Sequence, residues 1–181
     1  MLRLTIKDAE CFDDSKNEFL EVKGQTLELE HSLVSLAKWE SKWLKPFLNL
    51  KEIKSFEETV DYIKCMTITQ NVSPDVYKII TQANIDSVNE YISAPMTATT
   101  FKKNEPRTIY REIITAEIIY YWMVFFNIPF ECQKWHLNRL LTLINVCNIK
   151  NQPSKKMSKR ELLARNRELN AARKAELNTT G

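Results

Sequence analysis

The chain predicts an α+β fold, mostly helical, with a small antiparallel β element at the N-terminus and a basic helix at the C-terminus. Three observations lead there. Leu2, Leu4 and Ile6 alternate with polar residues, the period of a half-buried strand. From Ser32 onward apolar residues instead recur at helical spacing. Ser55–Glu58 and Ser158–Glu161 are both Ser-x-x-Glu capping boxes, in which each side chain satisfies the other residue's orphan backbone donor at a helix start. With 181 residues the chain suits one domain and an appended tail. The expected division is a body over 1–151, made of a β part (1–30) and a helical part (31–151), followed by a basic linker and helix over 152–181.

Each element follows from local chemistry. The first strand is followed by a polar, acidic segment from Asp8 to Asn17, read as a loop. Phe19 to Lys23 and Thr26 to Glu30 flank Gly24-Gln25 and read as a hairpin with a tight turn. A sheet of about three strands results. Ser32 then caps a helix whose face is marked by Leu33, Leu36, Glu40 and Trp43, and Pro46 closes it. The Ser55 box opens a helix to about Met66, with Phe56, Val60 and Ile63 inward. Ser73-Pro74, a cap with proline at the first helical position, opens a short helix to Ile80. Ile85, Val88 and Ile92 mark another. Residues 94–105 lack apolar periodicity and read as an exposed loop.

A long helix is expected from near Thr108. Its run from Ile118 to Phe126 is unbroken and apolar, too short for the roughly 20 residues that cross a bilayer. A helix apolar all the way round is expected to be buried. Pro129 breaks it, since proline lacks the amide hydrogen and clashes with the preceding turn. A second helix is expected from near Glu131, carrying Trp135, Leu137, Leu140, Leu141, Ile144 and Cys147 at helical spacing. The two form a central helical hairpin, read as the most buried part of the fold.

Composition excludes several function classes. Only Gly24 lies inside the chain, the second glycine being Gly181. Phosphate-cradling loops and the Gly-x-Ser-x-Gly elbow of serine hydrolases both need more. Cys11, Cys65, Cys132 and Cys147 match no disulfide or zinc framework and read as reduced thiols. The N-terminus, MLRLTIKDAE, has no apolar segment of the secretory kind, so no leader is expected. Residues 155–181 hold eight Lys or Arg against three Glu, a net of +5 in a chain whose total is +3. The body is therefore near neutral at −2. The basic tail, with Lys155, Lys156, Lys159, Arg160, Arg165 and Arg167, fits either a solvated helix or an arm that orders on an acidic partner or nucleic acid.

No catalytic, metal or cofactor set is expected. Cys132 and His136 stand four apart, but a structural zinc site needs about four ligands. Glu28 and His31 have a Glu-x-x-His spacing without the second copy that a di-iron bundle requires. Nothing places an orienting carboxylate beside His136, and the acidic run at Asp8–Asp14 lacks the glycine of a calcium loop. Trp39 and Trp43 share a helix face among Lys38, Lys42 and Lys45. They fit packing against a core or partner, with lysine stems covering the rim, or stacking on nucleic-acid bases. With Phe47, and with Met96 and Phe101 on the loop, they are the expected partner-binding residues, a mixture of large apolar and polar groups typical of an interface.

Several segments also resemble a family of small proteins encoded among the tail genes of long-tailed bacteriophages. They are Leu29-Glu-His-Ser-Leu33, Ser35-Leu-Ala-Lys-Trp-Glu40, Lys45-Pro-Phe47, Ala94-Pro-Met-Thr-Ala-Thr-Thr-Phe101 and Thr115-Ala-Glu-Ile-Ile-Tyr-Tyr-Trp-Met123. Ile128-Pro-Phe-Glu-Cys132, Lys134-Trp-His-Leu-Asn-Arg-Leu140, Cys147-Asn-Ile-Lys-Asn151, Lys155-Lys-Met-Ser158 and Leu169-Asn170 complete the set. The resemblance implies a tail assembly chaperone or minor virion component that acts by binding proteins. Its implied partners are tape-measure or tail-tube proteins, with self-association also open. From the residues set out above, no enzyme activity, no cofactor and no membrane are expected, and the resemblance brings no catalytic motif. It places the protein in the host cytoplasm during assembly, with retention in the virion as a further outcome. The alternative is a nucleic-acid-binding or head–tail connector role for the basic C-terminal helix.

Overall fold

The computed structural model describes residues 1–13, 17–49, 51–101, 113–151 and 159–177. Strands β1 (Leu2–Thr5), β2 (Ala9–Asp13), β3 (Glu18–Val22) and β4 (Thr26–Leu29) precede helices α1 (Leu33–Trp43), α2 (Phe56–Met66), α3 (Gln82–Ser93), α4 (Ala116–Phe125), α5 (Leu137–Asn151) and α6 (Lys159–Leu177). Two short 3-10 helices, Pro74–Ile79 and Phe130–Lys134, sit between them. The α+β class is as the sequence indicates. The chain divides into a compact unit over Met1–Asn148 and a second over Ile149–Gly181.

Strand pairing differs from the sequence reading. Phe19–Lys23 does not form a hairpin with Thr26–Glu30, and the acidic segment after Asp8 is not all loop. β2 pairs antiparallel with β3, and this hairpin is inserted between β1 and β4, which pair with each other. The reason lies at Gly24. A tight two-residue hairpin turn needs a positive φ, and Gly24 has none. Its backbone instead presses against the end of β1, where a Cβ would stand 2.1 Å from the Ile6 carbonyl oxygen. Its amide donates to Asp8 Oδ1 at 2.6 Å. β4 gains a second neighbour from the end of α2, with Glu30 N donating to Met66 O at 2.9 Å and Ile68 N to Glu28 O at 2.8 Å. Leu27 and Leu29 are thereby fully buried.

The helical caps follow the chemistry of the sequence. Ser32, Ser55 and Thr81 each accept from the amide three residues on, and each forms a reciprocal capping box. α1 ends on Leu44 in the left-handed region at φ 54°. Phe56, expected inward, is 60 % exposed because it is the first residue of α2, whose inward row is Val60, Ile63 and Met66. The expected short helix from Pro74 is a 3-10 helix over Pro74–Ile79. The proposed start near Thr108 and the box at Ser158 fall outside the described residues, and the described helix before Pro129 begins at Ala116.

The core centres on α1, which packs against α2, α4 and the 3-10 helix Phe130–Lys134. Leu33, Leu36 and Trp39 are almost fully enclosed. The expected hairpin partners are both helices, but the second starts at Leu137 rather than Glu131, and α1 is buried more deeply than either. Residues 130–134 form a 3-10 turn instead, so Cys132 and His136 do not share a helix face. On α5, Leu137, Leu140 and Ile144 are inward as the spacing indicates. No described helix is long and apolar enough to cross a membrane.

Candidate functional site: an apolar helix face in solvent

α4 departs most from the rule that a helix apolar all round is buried. Ala116, Ile119 and Met123 face the core, while Tyr121, Val124 and Phe125 are 64, 59 and 63 % exposed. Phe130, just beyond the helix, is 54 % exposed. The Tyr121 and Phe125 rings stack with centroids 6.2 Å apart, and Phe125 meets Phe126 edge-on at 5.0 Å. Tyr120, half-buried, lies 6.4 Å from Phe130 and donates from its hydroxyl to Gln133 Oε1 at 2.9 Å. Residues three and four apart are neighbours on a helix surface, so Phe130, Tyr120, Val124, Tyr121 and Phe125 form one continuous patch. At about 150–250 Å² for a whole aromatic side chain, it presents roughly 400–500 Å². That is near the upper end of what monomers expose, about 300–600 Å². It is also short of the ~800 Å² per partner of a standard stable complex. Such a patch suits a transient partner.

Both ends of α4 are held from outside its own turns. Thr115, the N-cap, makes no side-chain cap bond. Glu40 of α1 supplies the acceptor instead: its Oε2 takes the Ala116 amide and its Oε1 the Phe47 amide, each at 2.7 Å. Burial raises the Glu40 carboxyl above the ordinary carboxylate range. The two backbone amides oppose the rise, and Glu117 adds to it. At the other end Asn127 takes φ 52°, its amide bonds Val124 O at 3.1 Å, and the Ile128 amide bonds Met123 O at 2.8 Å. This is a Schellman close, with Asn in the place usually held by glycine. Ile128 and Met123, at the two ends of the longer bond, are both buried. The helix therefore ends before Pro129 is reached. Glu117 and Glu131, both exposed, give the patch an acidic border.

The partner-binding residues expected from sequence separate. Trp39 is 1 % exposed and Phe47 9 %, so both belong to the core and offer no free surface. The indole of Trp39 donates to Glu58 O, and that of Trp43 to Asp61 Oδ2, each at 2.9 Å. Lys42 pairs with Asp61, and Lys45 with Glu58 at 2.7 Å. The lysine-flanked tryptophans thus clamp α1 to α2, which is the physical reason the interface reading fails for Trp39. Met96 and Phe101 are exposed on the loop, Met96 at φ 49°. Lys155 and Lys156 lie outside the described residues, and Lys159, Arg160, Arg165 and Arg167 lie on α6. A hollow of about 210 Å³ beside Trp39, lined by Pro46, Ile53 and Lys54, is smaller than the roughly 300–1,000 Å³ of small-molecule sites.

Tertiary folding also joins the chain's two histidines, whose rings lie 5.1 Å apart. His31 Nδ1 and the Tyr62 hydroxyl are 2.6 Å apart. His136 lies between a carbonyl acceptor, Tyr91 O at 3.1 Å from Nε2, and an amide donor, Asn138 N at 3.3 Å from Nδ1. A carbonyl only accepts and an amide only donates, so His136 is neutral with its proton on Nε2. Burial, reinforced by His136, pushes His31 down to about 3, and burial also lowers His136. With both its nitrogens engaged, His136 is held between α3 and the start of α5, its ring against that of His31. Among the described residues no group of three or more His, Cys, Asp or Glu is placed to hold a metal.

A scan of protein-family models and searches of curated proteins and solved structures found no match to this chain.

Proposed function

We propose that this chain is a bacteriophage tail-assembly or virion structural protein that works by binding other proteins, without catalysis. In this reading α4 is the docking face, and its occupant is an amphipathic helix of a tail protein such as the tape measure. The observation that carries the binding role is the continuous aromatic patch on α4, held in solvent by caps at both ends of the helix. A groove or face of this kind takes the apolar side of a helix at i, i+3, i+4 and i+7 anchors. The acidic border at Glu117 and Glu131 favours a partner helix flanked by Lys or Arg. The moderate patch area suits a chaperone that must let go. The phage context rests on the sequence resemblance alone.

The test is co-expression with the tail proteins of the same phage, comparing wild type with Tyr121→Ser/Phe125→Ser. The double variant should fold with an unchanged circular dichroism spectrum and lose at least tenfold of the co-purified partner. Undiminished capture by the folded variant would overturn the docking assignment. A second reading, nucleic-acid binding, is favoured by α6, a 19-residue helix rich in Lys and Arg with exposed Leu162, Leu163, Leu169 and Leu177. Phosphate contacts weaken steeply as salt rises, whereas apolar docking on α4 does not, so a salt titration separates the two.

A further inference from the structure

The β2–β3 hairpin breaks a pairing rule on its outer face. Its register sets Glu10 directly opposite Glu21 and Phe12 opposite Phe19. Side chains alternate across a strand, so these four share one face. All four are exposed, with Phe12 at 47 % and Phe19 at 73 %. The opposite face carries Cys11, Leu20 and Val22 and packs toward the 3-10 helix Pro74–Ile79. The outer face is therefore free on a hairpin that is anchored from behind. Like charges directly opposite in an antiparallel pair destabilise it. Among the described residues no cation is ion-paired with Glu10 or Glu21, and Lys23 lies just past the end of β3. Beside them the two phenyl rings meet edge-on at 5.1 Å, open to water. Natural proteins break such local rules at functional sites and compensate elsewhere.

We propose that this face docks an arginine-bearing segment of a partner protein. The chemistry matches at both rows. A planar guanidinium presents donors in a fork and can bridge two carboxylates, cancelling the repulsion between Glu10 and Glu21. The adjacent ring faces of Phe12 and Phe19 receive the guanidinium plane by cation–π contact, or an apolar neighbour of the arginine. A lysine would satisfy the charge but not the fork, so arginine is preferred. This surface is on the N-terminal β element and does not depend on the α4 reading; either can fail alone.

The experiment uses the full chain and a labelled probe peptide alternating Arg with Leu, read by fluorescence anisotropy, beside matched Lys and citrulline peptides. The expected order of affinity is Arg, then Lys, then citrulline, with at least tenfold between the first and last. Raising sodium chloride from low to high salt should weaken Arg-peptide binding at least tenfold, as for any ion-paired contact. Glu21→Lys replaces a repelling cross-strand pair with an attracting one. It should raise the melting temperature while cutting affinity at least tenfold, a combination that no purely structural role for Glu21 gives. Phe19→Ser should cut affinity several-fold with the hairpin retained. The proposal is overturned if Glu21→Lys binds within twofold of wild type or melts lower. It is also overturned if arginine and citrulline peptides bind alike, or if millimolar calcium displaces the peptide and binds with no arginine preference.

Discussion

Glu40 is the side chain on which the position of α4 should depend most. The residue is 8 % exposed, and its carboxylate accepts two backbone amides, Phe47 N and Ala116 N, each at 2.7 Å. The second is an orphan donor of the α4 N-terminus, which Thr115 does not cap. Hydrogen bonds to a charged group contribute about 1.5–3 kcal/mol each, and leaving their partners buried and unmade costs a comparable amount. Glu40→Ala removes both at once and should cost about 3–5 kcal/mol, allowing for the desolvation of the carboxylate that burial already imposes. Glu40→Gln has the same shape but one acceptor oxygen, and its amide nitrogen must face one of the two N–H donors. It should cost about 1–3 kcal/mol for that reason alone. Guanidinium denaturation followed by tryptophan fluorescence measures both, and a common slope confirms that the unfolded reference is unchanged. Hydrogen exchange should show the Ala116 amide opening sooner in both variants, ahead of amides in α2. If Glu40→Gln matches wild type within half a kcal/mol and Ala116 exchange is unaltered, then Glu40 does not cap α4 and the reasoning fails.

The two faces of α4 should respond oppositely to truncation. Met123→Ala, at a fully buried position, should cost about 2–5 kcal/mol through lost burial and a cavity. Val124→Ser, one residue on, should stay within about 0.5 kcal/mol; equal losses in a denaturant melt would show that α4 is enclosed after all. The histidine pair should make the protein acid-sensitive. Both pKa values are lowered in the fold, His31 to about 3. The unfolded chain therefore takes up protons at the histidines as pH falls below about 6.5, before the folded chain does. Stability should fall as pH drops below that value, by at most about 1.4 kcal/mol per unit for each histidine. The neighbouring ionisable groups are Tyr62, Tyr91 and Glu30, the last pairing with the Met1 ammonium at 3.0 Å. Comparing wild type with His31→Gln/His136→Gln cancels the contribution of Glu40, whose raised pKa acts in the opposite sense. The variant should show the flatter profile in urea melts between pH 7 and 5, and parallel profiles would refute the assignment.

What the sequence determined by itself was local. The α+β class, the cap at Ser32, the capping box at Ser55, the first strand and the inward row of α5 all follow from hydrogen-bonding and periodicity within a few residues. Those interactions are written in neighbouring positions. Tertiary structure decided what depends on residues far apart in the chain. β1 pairs with β4 rather than β3 with β4 because the backbone at Gly24 lies against Ile6 and takes the side chain of Asp8. Trp39 is core because Glu58 and Asp61, on another helix, accept the indole and lysine donors of α1. The apolar run at Ile118–Phe126 has no polar position to say which side faces water. Its exposed side is whatever α1 leaves uncovered. Only the packing of α1 against α4, which leaves Ile119 and Met123 buried, with Glu40 fixing the helix at its start, selects Tyr121, Val124 and Phe125 as the surface.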